Sequence, residues 1–163
     1  MHSKPIKDTL HKVNHLVDYL ATNPNYEVTY KVSNMILHVD SDAAYLVEPG
    51  AKSWTEGYFY FSNHINPTLN GPIYCFSTLI KAVMSSTIEA ELGELFLNPT
   101  NVVSIRNTLH EMNHPQSPIP IRTDNTTALG VIAYTIKRKH TKAMVMRFHW
   151  VSDRMNKKNF EFI

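Results

Sequence analysis

Downstream of residue 34 the hydrophobic period passes from strand to helix near residue 86, and that change limits the folds open to this chain. Before it, the apolar residues follow strand patterns. Met35 to Asp42 (MILHVDSD) begins as an apolar run and then alternates, suiting a central strand that leads to a sheet edge. Gly57 to Ser62 (GYFYFS) is aromatic-rich and strand-like, and Pro72 to Phe76 reads as the third strand of a meander. The loop between them holds Asn66-Pro67 and Asn70-Gly71.

After residue 86 the spacing becomes helical. Ser86-Thr87-Ile88-Glu89 has the form of a capping box, in which Ser and Glu side chains satisfy each other's backbone N–H groups. A helix should follow through Leu92, Leu95 and Phe96, with Asn98-Pro99 interrupting or kinking it. Val102, Val103, Ile105, Leu109 and Met112 carry helical spacing onward. Pro115, Pro118 and Pro120 mark a loop, Ile119 to Thr123 a short strand, and Asn125 to Tyr134 a helix. Lys142 to Lys157 reads as helical, and Phe160 to Ile163 opens a final strand. Three meander strands followed by alternating helices and strands predict an α/β fold with a mixed sheet. Upstream, Leu10, Val13, Leu16, Val17 and Leu20 predict an amphipathic helix from about Thr9 to Ala21, ended by Asn23-Pro24-Asn25. Tyr26 to Val32 (YEVTYKV) alternates like a strand.

The chain's 163 residues fit one domain with a short appendage. No apolar run approaches the roughly 18 residues that span a bilayer, and the polar start MHSKPIKDTLHKVNH is no secretory signal. No membrane association is expected. Cys75 is the only cysteine, which excludes an intrachain disulfide and suits a reducing compartment. Its apolar setting (IYCF) suggests a small core filler rather than a nucleophile.

A net charge of +2 does not by itself announce a nucleic-acid binder. Its distribution says more. Lys137, Arg138, Lys139, His140 and Lys142 form one dense basic cluster, followed by Arg147, Arg154, Lys157 and Lys158. The last quarter is a candidate phosphate-facing surface, although a solvated helix face accounts for the cluster equally well.

Three carboxylates fall where this architecture joins its elements. Asp42 ends the first long strand, Glu91 lies in the first turns of the helix after the meander, and Asp124 ends the next strand. In open α/β sheets the carboxyl ends of adjacent strands line the usual functional crevice. If their strands are parallel neighbours, Asp42 and Asp124 converge there and the helix swings Glu91 across them. Convergent carboxylates beside a basic surface suggest two metal ions acting on a phosphodiester. Taken singly, each Asp is more often a turn or helix cap.

The segments VDSDAAYL, SSTIEAELGEL, IRTDNTTALG and TIKRKHTKAMVMRFHW resemble, in order, successive motifs of the ribonuclease H domain in copia-type retrotransposon polyproteins. The matches spread over most of residues 33–152. The resemblance implies a ribonuclease H-like mixed five-stranded sheet flanked by helices over residues 33–163, with residues 1–32 similar to the tail of the reverse transcriptase and connection region. It also implies catalytic, metal-binding roles for Asp42, Glu91 and Asp124, with two Mg2+ ions, or Mn2+ in their place. Cleavage of RNA in an RNA–DNA hybrid would follow, read by shape and 2′-OH rather than by base sequence. Asn125 and Thr126 would contact the sugar–phosphate backbone, and Lys137, Arg138, Lys139 and Lys142 would bind nucleic acid. The reverse transcriptase portion of the same polyprotein would be a partner, in a cytoplasmic retrotransposon particle with access to the nucleus. The family's pattern runs past a final strand into an L-x-D motif that supplies a fourth carboxylate. This chain reaches Ile163 inside that strand, so a C-terminally truncated domain is expected.

Other residues admit rival readings. His38 and Asp40 share a strand face with Asp42 if the alternation holds, but the family's Asp precedes small residues, here Ala43-Ala44, which selects Asp42. The capping box gives Glu89 a structural role, and Glu94 reads as solvent-exposed. His11 and His15 are spaced i, i+4 without the Glu that a zinc protease motif needs beside the first. His149 in RFHW suggests packing or hydrogen bonding. Asp42, Asp124 and Glu161 follow the chain order of integrase-type enzymes, yet Glu161 sits in a strand-like NFEFI where such enzymes use a helix. A third reading is a non-catalytic fragment that keeps residual nucleic-acid binding.

Overall fold

The computed structural model describes residues 7–48, 52–80, 87–124, 130 and 142–163. The chain divides into two compact units, Met1–Tyr30 and Lys31–Ile163.

The first unit holds helix α1, Lys7–Thr22. Its apolar residues Leu10, Val13, Leu16, Val17 and Leu20 are all about half exposed or more. Asn23 ends the helix, its Nδ2 donating to the Tyr19 carbonyl at 2.8 Å.

The second unit is built on strands β1 (Ile36–Glu48), β2 (Lys52–Ser62), β3 (Pro72–Leu79), β4 (Ile119–Arg122) and β5 (Phe160–Phe162), with helices α2 (Thr87–Glu111) and α3 (Lys142–Asn156). The sheet order is β3-β2-β1-β4-β5. The meander β1–β2–β3 pairs antiparallel, while β4 lies parallel to β1 and β5 parallel to β4. The expected mixed five-stranded sheet is therefore present.

Alternation decides which face is covered. Leu37 and Val39 of β1, Phe59 of β2, Ile119 and Ile121 of β4 and Phe160 of β5 share one face and are almost fully buried. They pack with Leu95, Val102 and Leu109 of α2 and with Phe148 and Val151 of α3 in a single core. Trp150 meets Phe96 edge-on at 5.3 Å, and the Arg147 guanidinium lies 5.4 Å from the centre of the Phe96 ring. Each fully buried side chain of this size contributes on the order of 1.5–3 kcal/mol. Among the described residues no helix is long and apolar enough to cross a membrane.

Several elements depart from expectation. Tyr26 to Val32 forms no strand, and Tyr26, Val28, Tyr30 and Val32 are exposed. A strand needs a ladder partner, and here Lys31 bonds to one side chain instead. The Lys31 N–H donates to Asn70 Oδ1 at 2.7 Å, and Asn70 Nδ2 donates to the Lys31 carbonyl at 2.9 Å. Pro99 does not break α2, which runs through it for 25 residues. Proline removes the N–H that would bond the Leu95 carbonyl, but burial of Leu95, Val102 and Leu109 in the core holds the helix on both sides of it. Cys75 is exposed rather than a core filler, because its position on β3 faces away from α2. Met112 is also exposed, just past the end of α2. The Ser86–Glu89 capping box and the expected helix Asn125 to Tyr134 lie outside the described residues.

Both long helices of this unit close in the same way. Asn113 and Lys158 adopt left-handed backbone, with φ of 61° and 54°. His114 N–H then bonds the Leu109 carbonyl at 2.8 Å, and Asn159 N–H bonds the Arg154 carbonyl at 3.1 Å. These are Schellman closures, which satisfy the last carbonyls of a helix.

Candidate active site

The parallel pairing of β1 with β4 fixes the site. Val39 pairs with Ile121 and Asp40 with Arg122. Asp42 and Asp124 each stand two residues beyond that last pair, so the two residues are level where the β1–β4 pairing ends. Parallel neighbours run about 4.8 Å apart. Both aspartates are exposed, and Asp42 Oδ1 accepts the Ala43 N–H at 2.8 Å. Asp42 does not end its strand as expected. β1 continues to Glu48 in its pairing with β2, and only the β4 pairing stops near Asp42.

Helix α2 runs antiparallel to β1. Asn98, midway along it, bonds to Ser41 and to the Glu56 carbonyl, whereas His114 and Gln116, just past its end, bond to Met35 and Leu37. Its N-terminal turns, which carry Glu91, therefore lie toward the end of the sheet where Asp42 and Asp124 stand, but on the face that Ser41 shares, opposite the one to which Asp42 belongs. The Glu91 side chain lies outside what is described, as do Asn125, Thr126, Lys137, Arg138, Lys139 and His140. Lys142 opens α3, and its side chain is likewise not described. Among the described residues no three His, Cys, Asp or Glu side chains gather closely enough to hold a metal ion.

On the sheet face away from α2, a cleft of about 440 Å³ is lined by Asp40, Asp42, Glu56, Tyr58, Cys75 and Ser77, among others. Glu56 was passed over in the sequence. It sits directly opposite Asp42 in the β1–β2 register, and its Oε1 accepts from Ser77 Oγ at 2.9 Å. Extending the GYFYFS strand back to Lys52 would have placed it there. Asp40 is held differently from Asp42. Its Oδ1 lies 3.5 Å from Arg122 Nη1, an ion pair without hydrogen-bond geometry. Behind it, His38 is buried, stacks on Tyr60 at 5.6 Å, and donates from Nε2 to the Asn63 carbonyl at 3.2 Å. Burial holds the His38 pKa below its ordinary 6.5, outweighing the hydrogen bond, and the Arg122 charge acts in the same direction. Burial likewise raises the Tyr60 hydroxyl, with the Asp40 charge adding to it.

Glu161 lies on β5 opposite Pro120, four residues before Asp124. That offset is roughly 13 Å along a strand. His149 is exposed and meets the Phe148 ring edge-on at 5.5 Å, consistent with packing.

The sheet order, the parallel β1–β4–β5 half and the helices packed on one face define a ribonuclease H-like fold. Solved structures agree. LC11-RNase H1 in complex with an RNA/DNA hybrid superposes with a TM-score of 0.55 at 12% identity, covering 78% of this chain and 83% of that one. The structure of LC11-RNase H1 isolated from compost by a metagenomic approach gives a TM-score of 0.54 at 9% identity over 78% and 82% of the two chains. No protein-family model and no curated protein sequence matches this chain.

Proposed function

We propose that this chain is a retrotransposon-derived ribonuclease H-like domain that cuts the RNA strand of RNA–DNA hybrids with Mg2+, through Asp42, Glu91 and Asp124. The level placement of Asp42 and Asp124 where the pairing of two parallel neighbours ends, within this fold, is the observation that supports the reading.

The donor chemistry fits the metal. Both aspartates are exposed carboxylates, the hard, acceptor-only oxygen ligands that Mg2+ takes while keeping several waters. Asp42 on β1 and Asp124 just past β4 would hold the metal, with Glu91 contributed from α2. Bound there, a pair of Mg2+ ions would supply an activated water and neutralise charge developing on the scissile phosphate. The protein's own contribution is positional. The β1–β4 ladder sets two carboxylates level with each other, and Glu91 of α2 would have to reach them around the end of the sheet.

Asn125, Thr126 and the basic segment Lys137, Arg138, Lys139 and Lys142 would meet the sugar–phosphate backbone, which makes binding salt-sensitive. The separate N-terminal unit, with its exposed Leu10, Val13, Leu16 and Leu20, suits the tail of a reverse transcriptase connection that packs against the rest of a polyprotein. Strand transfer through Glu161 is disfavoured by the distance of that residue from Asp124 along the sheet.

The reading is tested by incubating the chain with end-labelled RNA in a hybrid, in duplex RNA and as a single strand. Mg2+-dependent internal cuts confined to the hybrid, and abolished by chelation, are expected. Equal cutting of duplex RNA, or joining of DNA ends that requires Glu161, would contradict it.

A further inference from the structure

β3 closes one side of the sheet, and its outer edge meets no other described strand. After Pro72 it reads Ile-Tyr-Cys-Phe-Ser-Thr-Leu, without charge, glycine or a further proline. The N–H and C=O groups of an edge strand template pairing with another chain, so natural edges are blunted by lysine, proline, bulges or a covering loop. Among the described residues the devices here are Pro72 at the first position and a register shift beside Tyr74. From Tyr74 to Leu79 the ladder to β2 is regular. Exposure agrees with an open edge. Ile73 and Tyr74 are each 42% exposed, and Cys75, Ser77 and Thr78 are exposed as well. Helix α2 packs chiefly over β1 and then β2, and a hollow of about 280 Å³ beside β3 is lined by Ile73, Tyr74, Asn101, Ser104 and Ile105.

A second copy of the same strand suits that edge. A strand without charge does not repel itself. Directly opposed residues in a ladder point to the same face. An antiparallel pair about a two-fold axis therefore keeps each face on its own side only when the axis passes through a residue. Tyr74 opposes the core residue Phe59 and Phe76 opposes Gly57, so both lie on the α2 face, whereas Cys75 opposes Tyr58 on the other. Centred on Phe76, in the middle of Tyr74 to Thr78, the pairing sets Phe76 against Phe76 and Tyr74 against Thr78 on the α2 face. It sets Cys75 against Ser77 on the opposite face. Aromatic pairs across strands add to the stability of a ladder.

We propose that β3 pairs antiparallel with β3 of a second copy, joining two sheets into one about a two-fold axis at Phe76. The cleft lined by Cys75, Ser77 and Asp42 then opens on the same face in both copies, so the two candidate sites share one surface. One strand pair is a small interface, which predicts a concentration-dependent equilibrium between monomer and dimer. The inference stands on the edge itself and does not need the cleavage reading.

Sedimentation equilibrium of the whole chain tests it, with folding checked by circular dichroism. Wild type should approach twice the chain mass as concentration rises. C75K/S77K sets lysine against lysine across the axis and should weaken association by about tenfold or more, and C75E/S77E likewise. An equimolar mixture of these two variants should dimerise again, since each lysine then faces a glutamate. Ser77→Cys adds no charge and should give a disulfide-linked dimer with diamide that wild type does not give, because Cys75 then meets a thiol directly across the axis. That arm keeps the test decisive if the charged variants fail to fold. Leu16→Glu in α1 and Val28→Pro after it should leave the dimer intact. The proposal is overturned if wild type stays monomeric, if C75K/S77K associates as wild type does, or if the mixture stays monomeric. It is also overturned if Ser77→Cys links no better than wild type. Loss of the dimer in Leu16→Glu or Val28→Pro would overturn it too, assigning the interface to the N-terminal unit.

Discussion

The amide oxygen of Asn98 fills the space that a side chain at Gly57 would need, locking the middle of α2 onto the β1–β2 hairpin. A Cβ at Gly57 would stand 2.2 Å from that oxygen, 2.6 Å from Phe76 Cε1 and 2.8 Å from Phe59 Cε2. None of these is the loose end of a flexible chain. Gly57→Ala should therefore destabilise by about 1–3 kcal/mol, as overpacking of a filled core does. Urea denaturation checks this, the expected result being a lower midpoint at unchanged slope.

Gln116 does the work of a missing strand residue. Its Oε1 accepts the Leu37 N–H at 3.0 Å and its Nε2 donates to the Met35 carbonyl at 3.1 Å, so a side-chain amide serves the start of β1 where β4 has not yet begun. The side chain is buried. Gln116→Ala should leave the buried Leu37 N–H without this acceptor and cost about 1–3 kcal/mol. Equilibrium unfolding measures the loss, and amide exchange at Leu37 should quicken.

His38 makes stability depend on pH in one direction. Burial lowers its folded-state pKa from 6.5, so in the window below 6.5 the unfolded chain binds the extra proton. Its contribution is complete above 6.5 and declines as pH falls through that window toward the folded value. Unfolding midpoints should drop on mild acidification, and His38→Gln should flatten that portion of the curve. An unchanged slope would assign the acid sensitivity to other groups.

Lys158 holds a left-handed backbone at the close of α3, with φ of 54°. Such a conformation costs an L-residue roughly 1–2 kcal/mol, and glycine escapes it. Lys158→Gly should raise the thermal midpoint, since the Schellman bonds to Met155 and Arg154 use the backbone alone.

The sheet was legible because alternation and burial coincide. Leu37, Val39, Ile119 and Ile121 sit in short runs whose period matches a one-sided sheet, and the change to helical spacing announced α2. Local pattern could not say where a strand finds a partner. Tyr26 to Val32 alternates without an edge to join, and Cys75 lies in an apolar run whose odd and even members face different surroundings. Pro99 misled because proline's penalty is local, whereas tertiary packing of Leu95, Val102 and Leu109 holds the helix on both sides of it. At the site, Asp124 was readable as a carboxylate just past a short strand, whereas Asp42, read as a strand end, lies within β1. Glu56, Arg122 and Asn98 were not readable, since their proximity depends on register and on a long-range hydrogen bond.

Cleavage of an RNA–DNA hybrid by Asp42→Asn and Asp124→Asn, each compared with wild type at saturating Mg2+, tests the paired carboxylates most directly. Either substitution should lower the rate by about 10²–10³-fold, the scale seen when one preorganised stabilising group is lost, while hybrid binding in the absence of metal persists. Wild-type cleavage retained by both variants would contradict the assignment of the site to Asp42 and Asp124.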